Sequence, residues 1–584
     1  MRPSLPPIWG QNMAQAQTPE PPATHSAQQV PAYEALARDI LSRGHGDVFA
    51  LVSDDTALLI ATLDAIGVRV HAARHENTAV AMAEGYAAAT GALGIAIIGR
   101  GPATANALHG AMYAHRAGSR VLLVFGASSL GPSDAPDPKE FNALGVFHAA
   151  GLRVFLAGDS EGARRTLGQA IDATAGGGCA ALLLPANVQL GAVAYPGAMG
   201  VPTAAPPADP RRQPGRSAAV DAAAAVLARS RKPLFIVGQG AHRSGARDAI
   251  EQLADQVGAV VATTLKAKDM FRAYPYHAGI VGSFSHAAGR RLIEQADCIV
   301  AFGASLNQRT TSYGSALPQG VPLIHVDHVA APIGRVCHAD VALVADARTA
   351  AGQLALALAP RAAAGKPFHR AENRQLLADY LPSDEFQAMD TARTMDPRSC
   401  AIELDRLLPP SRNAVYDAGN FLQVIPYISG LGPDHTKNSV DFASVGMGFG
   451  TALGYARGTP ERTTVLFIGD GGFLMTLGEL ETAVREDIPL VIVVLNDCAY
   501  GAELHFLQMR DKPIATSVFA DVDFAPVARA FGFEAYTART VDELRALAPV
   551  LRNPQGPILI DCKINASVAA GYHAETFEHA RRAR

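Results

Sequence analysis

Two acids stand where a carboxylate is costly unless something binds it. Asp470 interrupts the glycines that end TVLFIGDGG (464–472), and Asp497 follows PLVIVVLN (489–496), 27 residues further on. Both apolar runs read as buried strands, so each acid falls just past a carboxyl end, where open α/β sheets bind ligands. The glycines Gly469, Gly471 and Gly472 let backbone N–H groups approach a phosphate closely, with a helix N-terminus behind them. An acid in that turn repels a phosphate unless a cation lies between the two. Two carboxylates, a main-chain carbonyl and phosphate oxygens make a hard oxygen site suited to Mg²⁺. GDG alone is common at ordinary strand ends; the second acid at the tip of the neighbouring strand distinguishes this one.

The elements that must hold these residues are short Val/Ile/Leu runs bounded by glycine, alternating with Ala-rich helical stretches. The first third carries VFALV, IAIIG, RVLLVFG and AALLLP, and the middle PLFIVG, AVVAT, CIVAFG and PLIHVD. The last third carries AVYDAG, TTVLFIGD, PLVIVVLND and GPILIDC. Continuous apolar strands are buried on both faces, as in parallel sheets covered by helices. The pattern predicts an α/β protein of three tandem doubly wound parallel-sheet domains. Its 584 residues are ample for three cores. The proline-dense YPGAMGVPTAAPPADPRRQPGR separates the first two domains, and a polar stretch from about 360 to 397 the last two. The expected division is a disordered tail (1–30), a first domain (31–194), a linker (195–216) and a central domain (217–360). A second linker (361–390), with a short helix in its middle, then leads to a third domain (391–584).

Composition removes several function classes. Lys and Arg number 50 against 54 Asp and Glu, a net charge of -4, which offers no broad basic face to nucleic acid or membrane. Six scattered cysteines, without CxxC or a close Cys/His set, argue against a disulfide or zinc framework and fit a reducing cytosol. No apolar run reaches the roughly 18 residues of a membrane span. The first 30 residues, rich in Pro, Gln and Ala, lack the basic and apolar regions of a signal peptide. A cytoplasmic enzyme acting on small molecules is the expectation.

GDGG, 23 residues and then NDCAYG resemble the thiamine-diphosphate motif of the acetolactate synthase, pyruvate oxidase and benzoylformate decarboxylase group. Three further stretches fall in register. RHENTAVAMAEGYAAATG is similar to the RHE-type motif and places its Glu at Glu76, with GPATAN (Gly101–Asn106) following. DAGNF resembles the DxGxx stretch and puts Asn420 where relatives often carry Gln, and SVGMGFG supplies Val445 and Met447. The similarity spans about residues 32 to 575. It implies a pyrimidine-binding, a central and a diphosphate-binding domain, in that order.

The resemblance also implies roles. Asp470, Asp497 and the Ala499 carbonyl would hold Mg²⁺, although many relatives have Asn at the second position. Gly469, Gly471, Gly472, Asn420 and Tyr500 would lie at the cofactor. Met447 would wedge its two rings together, and the Val445 carbonyl would accept from the 4′-amino group. Glu76 would act through the cofactor, bonding N1′ and favouring the tautomer that removes the C2 proton. Because Glu76 and the metal acids lie in different domains, the site is expected at the interface of a homodimer or homotetramer.

The implied activity is decarboxylation of a 2-oxo acid with carboligation to a second carbonyl, as in acetolactate synthase. Simple decarboxylation of the benzoylformate type is the alternative, with a flavin oxidoreductase or a non-catalytic homologue behind it. Retention of Glu76, Asp470 and Asp497 argues against the last. The paired histidines of pyruvate decarboxylases have no counterpart in the first domain. Arg100 and Lys139, cations near the expected reaction centre, are candidates for a substrate anion or for ion pairs; Glu503 and His505, in YGAELHFLQ, could face the pocket. The flavin-type RFDDRVTG stretch is replaced by ASLNQRTTSYG, and FIVGQGAHRSG has only a lone GxG, so FAD is expected to be absent.

Overall fold

The computed structural model describes residues 28–131, 137–195, 217–359 and 368–582. Three six-stranded sheets follow one another along the chain, all their pairings parallel, with helices on their faces. The first orders its strands Arg69–Ala72, Asp47–Ala50, Gly94–Ile98, Val121–Ala127, Cys179–Pro185, Arg153–Leu156. The third runs Thr436–Asn438, Arg412–Tyr416, Thr463–Gly469, Leu490–Asn496, Ile558–Lys563, Glu534–Ala538. Numbered by chain position within each sheet, both orders are 2-1-3-4-6-5. The central sheet differs: His277–Ile280, Val260–Thr263, Pro233–Val237, Cys298–Phe302, Leu323–Asp327, Val341–Val344, or 3-2-1-4-5-6. The middle strands are buried along their whole length, which is why they appear in the sequence as unbroken apolar runs.

The edges of the expected divisions need adjustment. Gln28–Pro31 forms a strand antiparallel to Ala192–Tyr195, so the tail expected over 1–30 gives way to structure by residue 28. Residues 1–27 lie outside the described residues, as do 196–216 of the first linker. In the second linker, 361–367 are likewise outside them, whereas Ala371–Ala378 is helical and Phe368 is buried among the apolar residues of the central domain. That stretch packs rather than dangles.

The first and third domains share a core. Helix Glu76–Thr90 lies along helix Met447–Gly458 so closely that a Cβ at Gly85 would fall 2.1 Å from the Thr451 carbonyl oxygen. Only glycine permits that approach. Polar groups are buried in the same contact. Glu84, fully buried, meets Lys437 and accepts from Tyr113 Oη (3.2 Å) and Ser119 Oγ (2.7 Å). His71 is held between Asp47 of the first domain (2.8 Å) and Glu486 of the third (2.7 Å). Burial alone would lower the His71 pKa, but these two bonds and the Glu486 charge outweigh burial and nearby Arg457 and raise it.

Candidate active site

The site is built from strand tips. Strand Thr463–Gly469 ends at Gly469, which caps helix Asp470–Met475, and the paired strand Leu490–Asn496 delivers Asp497. Both carboxyls are withdrawn from water. Burial pushes the two pKa values up, and the charge of Asp497 adds to the rise at Asp470. Without a cation, this pair is therefore poorly ionised for a strand tip. A divalent ion reverses that logic by supplying the missing positive charge.

The next loop aims a carbonyl at the same place. Cys498 is in the left-handed region (φ 58°), and its carbonyl accepts from Phe519 N (2.9 Å), while Tyr500 N donates to the Ser517 carbonyl (2.9 Å). These bonds pair Ala499 with Val518 in an antiparallel bridge. Along an extended backbone successive groups alternate, so the Ala499 amide and carbonyl face away from Val518. The amide meets the Asp497 carboxyl there. Among the described residues no three His, Cys, Asp or Glu side chains converge on one metal position, so an ion held here would take its remaining ligands from this carbonyl and from a bound group.

Glycine keeps space open beside the acids. A Cβ at Gly472 would lie 2.5 Å from Asp417 Oδ2, and one at Gly471 would lie 2.6 Å from the Tyr500 ring. Asp417, fully buried at the tip of strand Arg412–Tyr416, accepts from Gly446 N (2.7 Å), Gly448 N (3.0 Å) and Ser439 Oγ (3.2 Å). Burial lifts it to about 6 despite these bonds. It thereby fixes the turn Val445–Gly446–Met447, in which Gly446 is left-handed (φ 86°). The residues present fit a magnesium diphosphate: two acids in need of a cation, a carbonyl beside them and a glycine cradle that any side chain would fill.

These tips open into a cavity of about 850 Å³ between the central and third domains. Gly469, Asp470, Gly471, Gly472, Asp497, Ala499, Tyr500, Val445, Asn420 and Glu503 line it. Other residues singled out in the sequence are not brought there. Met447 is buried against Ala81 and Tyr113. His505 is buried, with Nδ1 3.2 Å from Gln508 Oε1. Asn420 does line the wall, but its amide is engaged by the Val568 carbonyl (3.2 Å) and Ala570 N (3.0 Å). Glu76 begins its helix and accepts from Asn106 Nδ2 (3.3 Å), joining the RHE and GPATAN stretches, yet no first-domain residue lines the cavity. Arg100 meets Asp137 and Ser128, and Lys139 meets Asp54, so both cations have partners within their own domain.

Several groups in or just behind the cavity wall had escaped the sequence reading. Asp417 immediately follows a strand, so the strand-end rule that found Asp470 would have found it too. Arg309 lines the cavity from the central domain, and Lys266 forms an ion pair with Asp441 there. His573, on the C-terminal helix, carried no local signal at all.

Comparison with known proteins agrees with this geometry. The sequence matches the N-terminal TPP binding domain of thiamine pyrophosphate enzymes over residues 31–144. It matches their central domain over 220–354 and their C-terminal TPP binding domain over 417–562. The chain belongs to the thiamine pyrophosphate enzyme family. It is a thiamine-diphosphate-dependent enzyme, with one family domain on each of the three sheets. Among its relatives are a sulfoacetaldehyde acetyltransferase of Castellaniella defragrans (25% identical, covering 92% of each chain) and the acetolactate synthase isozyme 2 large subunit of Escherichia coli (26%, covering 85% of this chain and 89% of that one). A probable 2-ketoarginine decarboxylase of Pseudomonas aeruginosa is 27% identical over 92% of this chain and 93% of its own. No helix among the described residues is long and apolar enough to cross a membrane.

Proposed function

We propose that this enzyme decarboxylates a 2-oxo acid and joins the remaining fragment to a second carbonyl, using thiamine diphosphate and Mg²⁺ in the cytosol. The observation that carries this is the pair Asp470 and Asp497 on adjacent strand tips beside the Ala499 carbonyl and the Gly471–Gly472 cradle. When bound, the cofactor supplies a nucleophilic carbon and a sink for the electrons left by CO₂. The protein's own groups do the rest. Asp470, Asp497 and Ala499 hold the metal, Gly471 and Gly472 admit the diphosphate, and Asp417 fixes the turn that presents the Val445 carbonyl. Arg309, which makes no ion pair with a carboxylate among the described residues, faces the cavity and suits the substrate carboxylate.

Glu76 reaches such a site only from a second copy of the chain. Phe442, Val445, Met475, Tyr500 and Val518 leave large apolar surface exposed on the loops that frame the metal acids. Apolar surface of this kind around a functional site marks an interface. A homodimer, or a homotetramer built as a dimer of dimers, would cover it and bring the partner's Glu76, Arg100 and Lys139 over the cavity.

Glu503 favours a second reading, simple decarboxylation. This exposed carboxylate lines the cavity and has no cationic partner among the described residues, which suits an acid with a basic tail. The Pseudomonas relative, a probable 2-ketoarginine decarboxylase, is named for an activity of that kind. We leave FAD out. The central sheet has the order of dinucleotide-binding domains, but order alone does not supply a ligand. The glycines after its first strand serve backbone packing, since a Cβ at Gly238 would lie 2.2 Å from the Gly303 carbonyl oxygen.

The deciding experiment measures 2-oxo acid consumption by stripped enzyme, with and without thiamine diphosphate and Mg²⁺. Pyruvate, 2-oxobutyrate, benzoylformate, oxaloacetate and 2-oxoarginine are offered and the products identified. Cofactor-dependent loss of one acid with a ligated product supports the first reading, and an aldehyde product the second. A purified protein that carries stoichiometric flavin would overturn the exclusion of FAD.

A further inference from the structure

The C-terminal helix Gly571–Arg582 bridges the central and third domains. Arg309 donates to the Tyr572 carbonyl (3.0 Å) and to Thr576 Oγ1 (3.2 Å), with its guanidinium 4.6 Å from the Tyr572 ring centre. From the other side, Tyr572 Oη donates to the carbonyls of Gly419 (2.9 Å) and Asn420 (3.2 Å) at the tip of the third sheet. A Cβ at Gly501 would lie 2.5 Å from Asp497 Oδ2 and 3.1 Å from the Asn420 Cβ, so these contacts lead directly to the metal acids. They seat His573 on the cavity wall with Asn420 and Glu503.

His573 arrives there with an unmet bond. Its Nε2 is buried and has no hydrogen-bond partner. Leaving such an atom unpaired costs about 1–3 kcal/mol, and native interiors rarely do so without a purpose. Burial, reinforced by His505 and Arg309, holds the ring at about 4, so it is neutral at physiological pH. His505 stands behind it, ring centres 5.9 Å apart, and is itself engaged by Gln508.

We propose that His573 contacts the substrate, its Nε2–H donating to an oxygen of the 2-oxo acid bound over the strand tips. This rests on the functional reading above. The carboxylate and keto groups of such acids offer acceptors only, so the tautomer that binds them carries its proton on Nε2. A neutral imidazole can polarise a carbonyl oxygen without surrendering a proton.

The test uses the full-length protein with thiamine diphosphate and Mg²⁺, the five acids above as probes, and the variants His573→Ala and His573→Gln. For the acid that the wild type consumes fastest, KM should rise about tenfold in His573→Ala, the loss of one hydrogen bond to a charged group. The fall in kcat should be smaller, and the cofactor Kd from calorimetry should not change. His573→Gln keeps an N–H donor and should recover most of the loss, which a packing role would not allow. In [¹⁵N]histidine spectra of the wild type, adding the acid should shift the His573 Nε2 resonance. An unchanged KM in His573→Ala, or equal loss of cofactor binding in both variants, would overturn the proposal. A wild type that binds no thiamine diphosphate, or consumes none of the acids, brings down the functional reading and this proposal together. One that turns over an acid but is indifferent to position 573 brings down this proposal alone.

Discussion

The first and third sheets have the same strand order, 2-1-3-4-6-5, yet among the described residues it is the third sheet's switch point that lines the cavity of about 850 Å³. In such sheets, ligands bind where the order reverses, between the first and third strands. In the third domain that crevice is bounded by Gly419 and Asn420 on one tip and by Gly469 and Asp470 on the other, and all four line the cavity. In the first domain the same crevice is closed by the protein itself. Asp55 Oδ2 accepts from Arg100 N (2.8 Å), its Oδ1 accepts from Ser53 Oγ (2.5 Å), and a Cβ at Gly126 would lie 1.6 Å from Oδ2. An acid at a strand tip is thus a plug when backbone and hydroxyl donors satisfy it, and is suited to a cation when burial leaves it short of charge. The topology places the crevice, and the side chains' hydrogen bonds decide its use.

The comparison breaks hardest at Glu76, the proposed contribution of the first domain to the third domain's site. Glu76→Gln should lower turnover about a thousandfold, the scale of lost acid–base catalysis, with thermal stability preserved. Near-normal turnover would end the proposed role of the first domain. Next come the acids. Asp470→Asn should weaken Mg²⁺-dependent cofactor binding by more than the roughly 10- to 100-fold that outer-shell partners cost. It should also raise the melting temperature of the cofactor-free protein at neutral pH, because a buried carboxyl whose raised pKa costs stability above the ordinary carboxylate range is gone. A stable apoenzyme with unaltered cofactor affinity would contradict both halves.

At the plug the effect should fall on stability and not on catalysis. Asp55→Ala should cost about 1–3 kcal/mol by orphaning the donors it satisfies, with kcat/KM unchanged. A comparable drop in kcat/KM would show that the first crevice is functional too. The smallest effect concerns the buried contact between the two domains. His71 has a pKa raised above its ordinary 6.5, so its contribution is complete below that pH and is lost as pH rises through the raised value. Asp47, held down to about 2 by His71 and Arg69 against the opposing effect of burial, and Glu486, lowered by the same histidine, contribute in the opposite sense, losing stability only in acid. Melting temperature should therefore decline from pH 6.5 upward in the wild type and flatten in His71→Gln. Parallel curves would remove His71 as the cause.

Much of this was readable without coordinates. Strand runs such as VLFIG and LVIVVL are apolar throughout because both faces of a parallel strand are covered, so the three-domain α/β plan is written locally. The placement of Asp470, Asp497 and their glycines on adjacent strand tips was legible because the needs of a strand end and a tight turn concern residues close in sequence to their strand. The Glu76 motif was legible as a pattern, but its distance from the cavity within one chain was not. Nor was the pairing of Arg100 with Asp137 and of Lys139 with Asp54, since a charge names no partner.

What the sequence determined by itself is the class of fold, the thiamine-diphosphate family and the placement of two acids just past adjacent strand ends, because each depends on spacing along one or two strands. What only the tertiary structure decided is which crevice is open and what faces it. Asp55 closes one switch point through contacts with residues 45 and 71 positions away, and the clasp of Tyr572 on Gly419 and Asn420 brings His573 to the other across some 150 residues. Such contacts arise from how whole domains pack, and no local periodicity records them.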